Sequence, residues 1–342
     1  MNARRARKSI QTALTVVGLG FLAYLIHRIG LSAVWDNLTH FGWWLALTCG
    51  IATVWLFLQA CAWWKIQDTF FERVPLAVLF RVKIISDAFN LILPSASMGG
   101  DAMRAFMIRE RVPLRDGVPA VLFDKTVEFA ASVVFLITGL GLGLVFLHLP
   151  QPVVIPAVIC VTATIAGIGV VVFMLQRGVT STLLKLGAFF PSAMGWVKSK
   201  EEQFRAMDDN FRLLYSGGVS RALPPLLFHL AGRLIGALEF MVILAVLDAP
   251  ISVVQALFIS TVVTVGNTVF FLLPGQWGVM ESVHILVVQS LGYPPAVGLS
   301  LSIIRRIRRL LLVGVAVILF AARPGPKTQP PRWDGSNEPT RG

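Results

Sequence analysis

The chain contains 342 residues, of which 56% are apolar and only 14% are charged, and its mean hydropathy is +0.74. Because soluble domains are about 45–50% apolar and about 25% charged, this composition excludes a soluble enzyme, a disordered protein and a secreted disulfide-rich domain. The formal net charge is +12. Its basic residues are scattered among apolar segments, so we expect no nucleic-acid partner and assign the charge to surfaces that face the cytosol and anionic lipid.

The apolar segments predict an all-α polytopic membrane protein. A basic N-terminus, residues 1–9, precedes the first of them, which we interpret as an uncleaved span that starts in the cytosol. A helix needs about 20 mainly apolar residues to cross a bilayer. The predicted full spans are the six segments of about this length or longer: 10–29, 42–64, 118–147, 152–175, 222–247 and 296–322.

Two further apolar segments are interrupted by proline or by polar residues. Residues 76–94 contain four polar side chains, which are Arg81, Lys83, Asp87 and Asn90. Residues 251–291 contain Pro274. We expect each segment to enter the membrane and return on the same side as a re-entrant hairpin, since broken helical backbone is tolerated only where protein or water surrounds it. The alternative is a chain with eight or more full spans.

Basic residues predict the orientation of the chain. They are concentrated in residues 1–9, 104–115, 176–221 and 323–342. The positive-inside tendency places all four segments in the cytosol, and six spans with two hairpins satisfy this condition. Both termini are therefore expected in the cytosol, with a membrane domain at 10–322. The tail that follows it is rich in Pro, Gly and polar residues and is expected to be disordered.

The membrane domain contains a predicted internal repeat. Residues 42–147 and 222–322 can be overlaid with an offset of 180 residues, which aligns Phe89-Asn-Leu-Ile-Leu-Pro94 with Val269-Phe-Phe-Leu-Leu-Pro274. Three pairs of polar residues also superpose, namely Asp101 on Glu281, Arg104 on His284 and Lys125 on Arg305. An odd number of crossings separates the two copies, so the second copy is predicted to be inverted. Inverted repeats with broken helices are the architecture of alternating-access carriers.

A first group of candidate binding residues lies at the end of segment 76–94 and just after it. Its members are Asn90, Pro94, Gly99, Gly100, Asp101 and Arg104. Proline and glycine break the helix and let a ligand approach the backbone, and free N–H groups at the start of a half-helix suit a phosphate. Asp101 and Arg104 are three residues apart and can pair on one helix face. Both a ligand site and a structural ion pair are consistent with this pattern.

A second group, Asp124, Lys125 and Glu128, lies within a predicted span. A charged residue at mid-membrane costs about 2.5–3.5 kcal/mol on insertion scales. These side chains are therefore expected to face a wet cavity or one another. The alternative is that Asp124 lies near the cytosolic end of its span and extends to the interface.

A third group, Arg305, Arg306, Arg308 and Arg309, lies near the middle of the last predicted span. Three of them share a helix face, while Arg306 is rotated by roughly 100°. The cluster is expected to line a polar cavity and to meet Glu239 and Glu281, a lipid phosphate, or both, because arginine contacts phosphate through two parallel hydrogen bonds.

A fourth group surrounds the second proline-containing break and consists of Pro274, Gly278, Glu281 and His284. Glu281 and His284 resemble half of a metal site, but no second histidine is near them in the sequence. A proton relay through His284 is one interpretation. The simpler expectation is that Glu281 pairs with Arg305 or Arg308. Further polar lining is expected from His229, Arg233 and Glu239.

The sequence resembles the transmembrane-region family of lysylphosphatidylglycerol synthases, a flippase-like integral membrane family. The stretch Phe89-Asn-Leu-Ile-Leu-Pro-Ser-Ala-Ser-Met-Gly-Gly-Asp-Ala-Met-Arg104 resembles its first signature, an Asn-x-x-x-Pro followed by Gly-Gly-Asp-x-x-Arg. Leu273-Pro-Gly-Gln-Trp-Gly-Val-Met-Glu281, followed by Leu291-Gly-Tyr and Arg305, resembles its second. The resemblance implies a protein that moves a lipid between leaflets of a bacterial cytoplasmic membrane. Members of this size are linked to hopanoids, aminoacylated phospholipids or polyprenyl-linked sugars.

These observations together predict a lipid translocator. An anionic headgroup would enter between the repeats, where Arg104, Lys125, Arg305 and Arg308 balance its charge. The alternatives are a membrane-embedded transferase acting on a lipid-linked substrate, and a non-catalytic partner of lipid-synthesis enzymes, for example in hopanoid biosynthesis. The bifunctional family members append a soluble aminoacyl-transferase domain, whereas only 20 residues follow the last predicted span here, so no lysyl transfer is expected.

The sequence contains no motif that indicates a cofactor or a metal. Its cysteines, Cys49, Cys61 and Cys160, all lie in apolar runs and form no C-x-x-C pair. The sequence also lacks H-E-x-x-H, Walker A and Asp-rich metal motifs. We therefore expect a lipid substrate and no cofactor.

Overall fold

A computed structural model describes Tyr24 and residues 31–67, 74–92, 99–176, 218–270 and 273–322. Apart from Tyr24, the predicted first span at 10–29 lies outside these residues. So do Pro94, nearly all of the predicted loop 176–221 and the tail 323–342.

All regular structure in the described part of the chain is helical, as predicted. The ten helices found there are α1 Leu31–Phe41, α2 Trp44–Gln67, α3 Leu76–Ile92, α4 Gly99–Met107, α5 Leu114–Phe146, α6 Gln151–Gln176, α7 Gly218–Val246, α8 Val253–Val269, α9 Val279–Ser290 and α10 Pro295–Ala321. A single 3₁₀ turn, Pro274–Gln276, precedes α9.

Three stretches of the described chain are long and apolar enough to cross a membrane. They are Trp44–Gln67, Leu114–Phe146 and Ser220–Val246, and each covers most of a predicted span. α6 and α10 contain 26 and 27 residues, but the arginines interrupt the apolar character of α10. These helices support a helical membrane protein, whereas the number of spans stays a prediction.

The helices at the two predicted hairpins are short. α3 and α8 contain 17 residues each, α4 contains 9 and α9 contains 12. At a rise of about 1.5 Å per residue, none of them matches the hydrocarbon core of about 30 Å. These lengths suit segments that end inside the membrane domain.

Local sequence explains where the second pair of short helices begins. Ser252 and Gln255 form a capping box at the start of α8, in which the Ser252 hydroxyl accepts from the Gln255 amide at 3.3 Å and the Gln255 side chain accepts from the Ser252 amide at 2.8 Å. The turn before α9 uses Gly275 and Gly278 at φ values of 65° and 76°. Glycine adopts this left-handed backbone at little cost, whereas other residues are strained there.

The helices pack through small residues and a continuous apolar core. α5 lies so close to α8 that a Cβ atom at Gly139 would be 2.0 Å from Thr261 Oγ1, and one at Gly143 would be 2.5 Å from the Phe258 ring. Small residues four apart commonly let membrane helices approach in this way. Phe258 is fully buried in the core formed by α7, α8, α9 and α10.

Several pairs of helices make contacts between the two halves of the chain. α2 packs extensively against α7, α5 against α8, and α10 against α3. Within each half of the chain, the two short helices contact each other, and the second of them contacts the long helix that follows. Large apolar side chains such as Phe146, Ile159 and Ile318 are exposed on the outer faces, as expected for a surface in contact with acyl chains.

Candidate functional site

A first cluster of charged side chains, which we call the first ion centre, is built by α4, α5 and α7. Arg104 contacts Asp124 Oδ2 at 2.6 Å and Asp101 Oδ1 at 2.9 Å. The second oxygen of Asp124 contacts His229 Nε2 at 3.0 Å. The pairing of Asp101 with Arg104 was predicted. The alternative that Asp124 reaches the interface is wrong, because its side chain is completely buried.

Two further members of the first ion centre form its more exposed edge. Lys125 Nζ lies 3.1 Å from Glu128 Oε2 and 3.4 Å from Asp101 Oδ2. The side chains of Lys125 and Glu128 are 21% and 20% exposed. The charges of the predicted span at 118–147 therefore face one another and a partly open side of the centre.

A second ion centre is built by α7, α9 and α10. Arg308 contacts Glu239 Oε1 at 2.6 Å, and Arg305 Nε lies 3.4 Å from the other oxygen of that carboxylate. Arg306 contacts Glu281 Oε1 at 2.5 Å. The arginine cluster meets Glu239 and Glu281 as predicted.

The predicted partner of Glu281 is wrong, because Glu281 pairs with Arg306 and not with Arg305 or Arg308. The helix-face argument correctly rotates Arg306 away from the other arginines, but Glu281 of α9 reaches Arg306 on this side of α10. Arg306 also donates to the Gly275 carbonyl at 3.1 Å and lies 3.8 Å from the Trp277 ring centroid. The glycine turn and the arginine thus hold each other in place.

His284 lies between a group that can only accept a hydrogen bond and a group that can only donate one. Its Nδ1 lies 2.6 Å from the Met280 carbonyl oxygen, and its Nε2 lies 3.2 Å from a guanidinium nitrogen of Arg305. A carbonyl can only accept and a guanidinium can only donate, so the imidazole is neutral and carries its proton on Nδ1. His284 therefore positions Arg305 in this conformation, and neither ring nitrogen is open for a proton relay.

The residues of the first predicted binding group contact one another. The Gly100 amide donates to Asn90 Oδ1 at 2.8 Å, so this N–H group is not open to a phosphate here. A Cβ atom at Gly100 would lie 2.1 Å from the Ser86 carbonyl oxygen. The predicted close approach at this glycine is therefore made by α3. Gly99, another member of this group, begins α4. In the fourth group, Gly278 directly precedes α9.

Lys83 and Asp87 were not among the predicted binding residues, whereas Arg309 was, and Arg233 was expected as polar lining. Lys83 is only 6% exposed. Arg233 donates to the Ser132 hydroxyl. Asp87 and Arg309 line a small crevice between α2, α3 and α10. The signal that could have identified Lys83 and Asp87 is their spacing of four residues within an apolar segment, which puts both on one helix face.

The arrangement does not point to a bound metal. Across residues 31–67, 74–92, 99–176, 218–270 and 273–322, no group of three or more His, Cys, Asp or Glu side chains could hold one. Helix α7 contributes three polar side chains to the interior, and each contacts a neighbouring helix. They are His229, Arg233 and Glu239.

The comparison with known families gives a match that covers most of the chain. Residues 10–316 match the model of the lysylphosphatidylglycerol synthase TM region. The chain belongs to this family. The match to the lysylphosphatidylglycerol synthase TM region includes both ion centres, and together with the apolar helices it identifies an integral membrane protein connected with lipids. No curated protein and no solved structure matches the chain.

Proposed function

We propose that this protein moves a lipid with a polar, anionic headgroup between the leaflets of the cytoplasmic membrane. The observation that carries the proposal is the pair of ion centres enclosed by helices whose outer faces are apolar. Charged groups inside a membrane are costly and mark pathways for polar or charged substrates. The membership in a lipid-related membrane family supports the same conclusion.

The proposal includes an inverted repeat of residues 42–147 and 222–322. In this repeat, α2 corresponds to α7, α3 to α8, α4 to α9 and α5 to α10. Exchanging the two halves converts the contact of α5 with α8 into that of α10 with α3, and leaves the contact of α2 with α7 unchanged. A two-fold relation between the halves requires such an exchange of contacts.

The proposed mechanism is alternating access. The headgroup would pass through the polar interior while the acyl chains stay in the surrounding lipid. Rocking of one half against the other would open the ion centres first to one leaflet and then to the other. α7 contributes to both centres, so its movement would affect them together.

A vesicle assay tests the proposal. The full chain is reconstituted with phosphatidylglycerol that carries a fluorescent acyl chain, and an impermeant reductant then bleaches the outer leaflet. Translocation predicts that nearly all of the fluorescence is lost, whereas about half survives in protein-free vesicles. Arg305→Gln should slow the loss, since Glu239 keeps Arg308 and the centre loses one cation. Exposed Arg111→Gln is the matched control.

The same vesicles distinguish the other functions. A chemically altered lipid, detected by mass spectrometry, would favour a membrane-embedded transferase. Inactivity until a lipid-synthesis enzyme is added would favour a non-catalytic partner. Either result, without translocation by the chain alone, contradicts the proposal.

A further inference from the structure

Arg305 keeps an unused hydrogen-bonding group at the second ion centre. Its Nε lies 3.4 Å from Glu239 Oε2, and its Nη1 lies 3.2 Å from His284 Nε2. The remaining nitrogen, Nη2, makes no hydrogen bond or ion pair to the part of the chain that the structure describes. The side chain is 17% exposed. Because Nη2 carries two N–H donors, this guanidinium can still bind an acceptor that reaches its open side.

Three neighbouring groups hold the Arg305 guanidinium in one orientation. Its Cζ atom lies 4.2 Å from the Phe240 ring centroid, so the ring covers one face of the guanidinium. Glu239 and His284 contact two of its edges. His284 is itself buried, and the Met280 carbonyl fixes its ring. An anion that binds here meets a donor that is already in place, so little side-chain entropy is lost on binding.

The close approach of α9 and α10 keeps His284 beside Arg305. A Cβ atom at Gly298 would lie 2.7 Å from Ile285 Cα and 2.9 Å from the His284 carbonyl oxygen. Gly298 precedes Arg305 by about two helical turns, so both residues lie on one face of α10. The backbone of α9 therefore packs directly against the face of α10 that bears this arginine.

The second ion centre has one positive charge that its carboxylates do not balance. Its charged members are three arginines and two carboxylates, namely Arg305, Arg306, Arg308, Glu239 and Glu281. His284 adds no charge, because its two contacts require the neutral imidazole. Arg309, the fourth arginine of α10, lines the small crevice together with Asp87, and these two charges offset each other. A ligand with a single negative charge would complete the balance.

A phosphodiester has the charge that this centre lacks. It carries one negative charge, whereas a phosphate monoester carries about −1.5 to −2 at neutral pH. An unbalanced charge in an apolar environment is strongly unfavourable. A monoester would leave negative charge unbalanced, and an uncharged headgroup would leave the positive charge as it is.

We propose that Arg305 Nη2 binds an oxygen of a phosphodiester group, and that the single excess charge of the second ion centre selects this class of ligand over phosphate monoesters. His284 is a positioning residue, which presents Arg305 to the ligand. The assignment of the ligand as a lipid rests on the proposed function, whereas the binding of a phosphodiester does not.

A binding experiment tests the selection. The purified full chain in detergent is titrated with phosphatidylglycerol, phosphatidic acid and diacylglycerol of the same acyl chains, and with dimethyl phosphate as a phosphodiester without acyl chains. Phosphatidylglycerol should bind about tenfold more tightly than either of the other two lipids. Arg305→Gln makes the centre neutral and should weaken phosphatidylglycerol binding about tenfold. Arg111→Gln, which removes one exposed charge, should bind as the wild type does.

Two further changes separate charge from structure. Glu239→Gln leaves two positive charges unbalanced and should shift the preference towards phosphatidic acid. Glu281→Gln makes the same change of charge at another ion pair, and it tests the shift if the first variant does not fold. His284→Gln keeps an acceptor for Arg305 and should bind within about threefold of the wild type, whereas His284→Phe removes the acceptor and should weaken binding about tenfold.

Each outcome decides a separate point. Phosphatidic acid or diacylglycerol binding as tightly as phosphatidylglycerol would overturn the proposal, and so would an unchanged preference in the Glu→Gln variants. Equal binding by His284→Phe and the wild type would refute the positioning role. Dimethyl phosphate binding that depends on Arg305 would support the site with a free phosphodiester as its ligand.

Vesicle assays separate this site from the proposed function. Selective, Arg305-dependent binding without translocation would support the phosphodiester site and contradict the proposed transport. Translocation of phosphatidic acid as fast as phosphatidylglycerol would support transport and contradict the selection.

Discussion

The completely buried carboxylate of Asp124 should contribute far more to stability than the partly exposed carboxylate of Glu128, one turn later on α5. Asp124 accepts from Arg104 at 2.6 Å and contacts His229 at 3.0 Å. Asp124→Asn removes the charge and leaves the buried guanidinium paired with Asp101, its remaining carboxylate partner among the described residues. Breaking a buried pair by removing one partner costs about 3–5 kcal/mol. Because the contact with Asp101 remains, the expected loss is about 3 kcal/mol, at the lower end of this range.

Glu128→Gln is the matched control because it makes the same chemical change on the same helix. Glu128 is 20% exposed, and its partner Lys125 keeps Asp101 at 3.4 Å. The expected loss is therefore about 1 kcal/mol or less. Equilibrium unfolding in mixed micelles, followed by tryptophan fluorescence, measures both losses. Trp63 is close to this centre, since its ring centroid lies 5.0 Å from Arg104 Cζ. Equal losses in the two variants would refute the assignment of Asp124 as the central anion.

Two further predictions concern packing and pairing. Gly139→Ala should cost about 1–3 kcal/mol by overpacking against Thr261. An added Cβ at exposed Gly141 meets nothing within 4 Å, so Gly141→Ala should be neutral or stabilise the helix by about 0.5–1 kcal/mol. Unfolding of the two variants in parallel checks this, and a cost at Gly141 as large as at Gly139 would contradict the close contact of α5 with α8. A double-mutant cycle of Glu281→Gln and Arg306→Gln should give a coupling of about 1–3 kcal/mol in the same assay. Additive effects would show that these two side chains do not interact.

Properties that depend on residues close together in the sequence could be predicted from the sequence. The helical membrane class follows from the length and composition of apolar runs. The pairing of Asp101 with Arg104 follows from the geometry of a single helix turn. The need for internal anions opposite the arginines of α10 follows from the cost of charge in an apolar medium.

Partners on different helices could not be predicted in the same way. His229 reaches Asp124 across 105 residues of sequence, and no pattern within α5 or α7 specifies this contact. Glu281 selects Arg306 because α9 lies on one particular side of α10. Gly100 resembled a ligand-approach site, but it meets the Ser86 carbonyl and Asn90.

The sequence by itself determined that this chain forms membrane helices and that their interior contains charge. Only the tertiary structure decided which charges neutralise one another, such as Asp124 with Arg104 and Glu281 with Arg306. The physical reason is that a helix sequence specifies the direction of each side chain around its own axis. The rotation and depth of the neighbouring helices arise from packing of the whole domain, and they determine what each side chain meets.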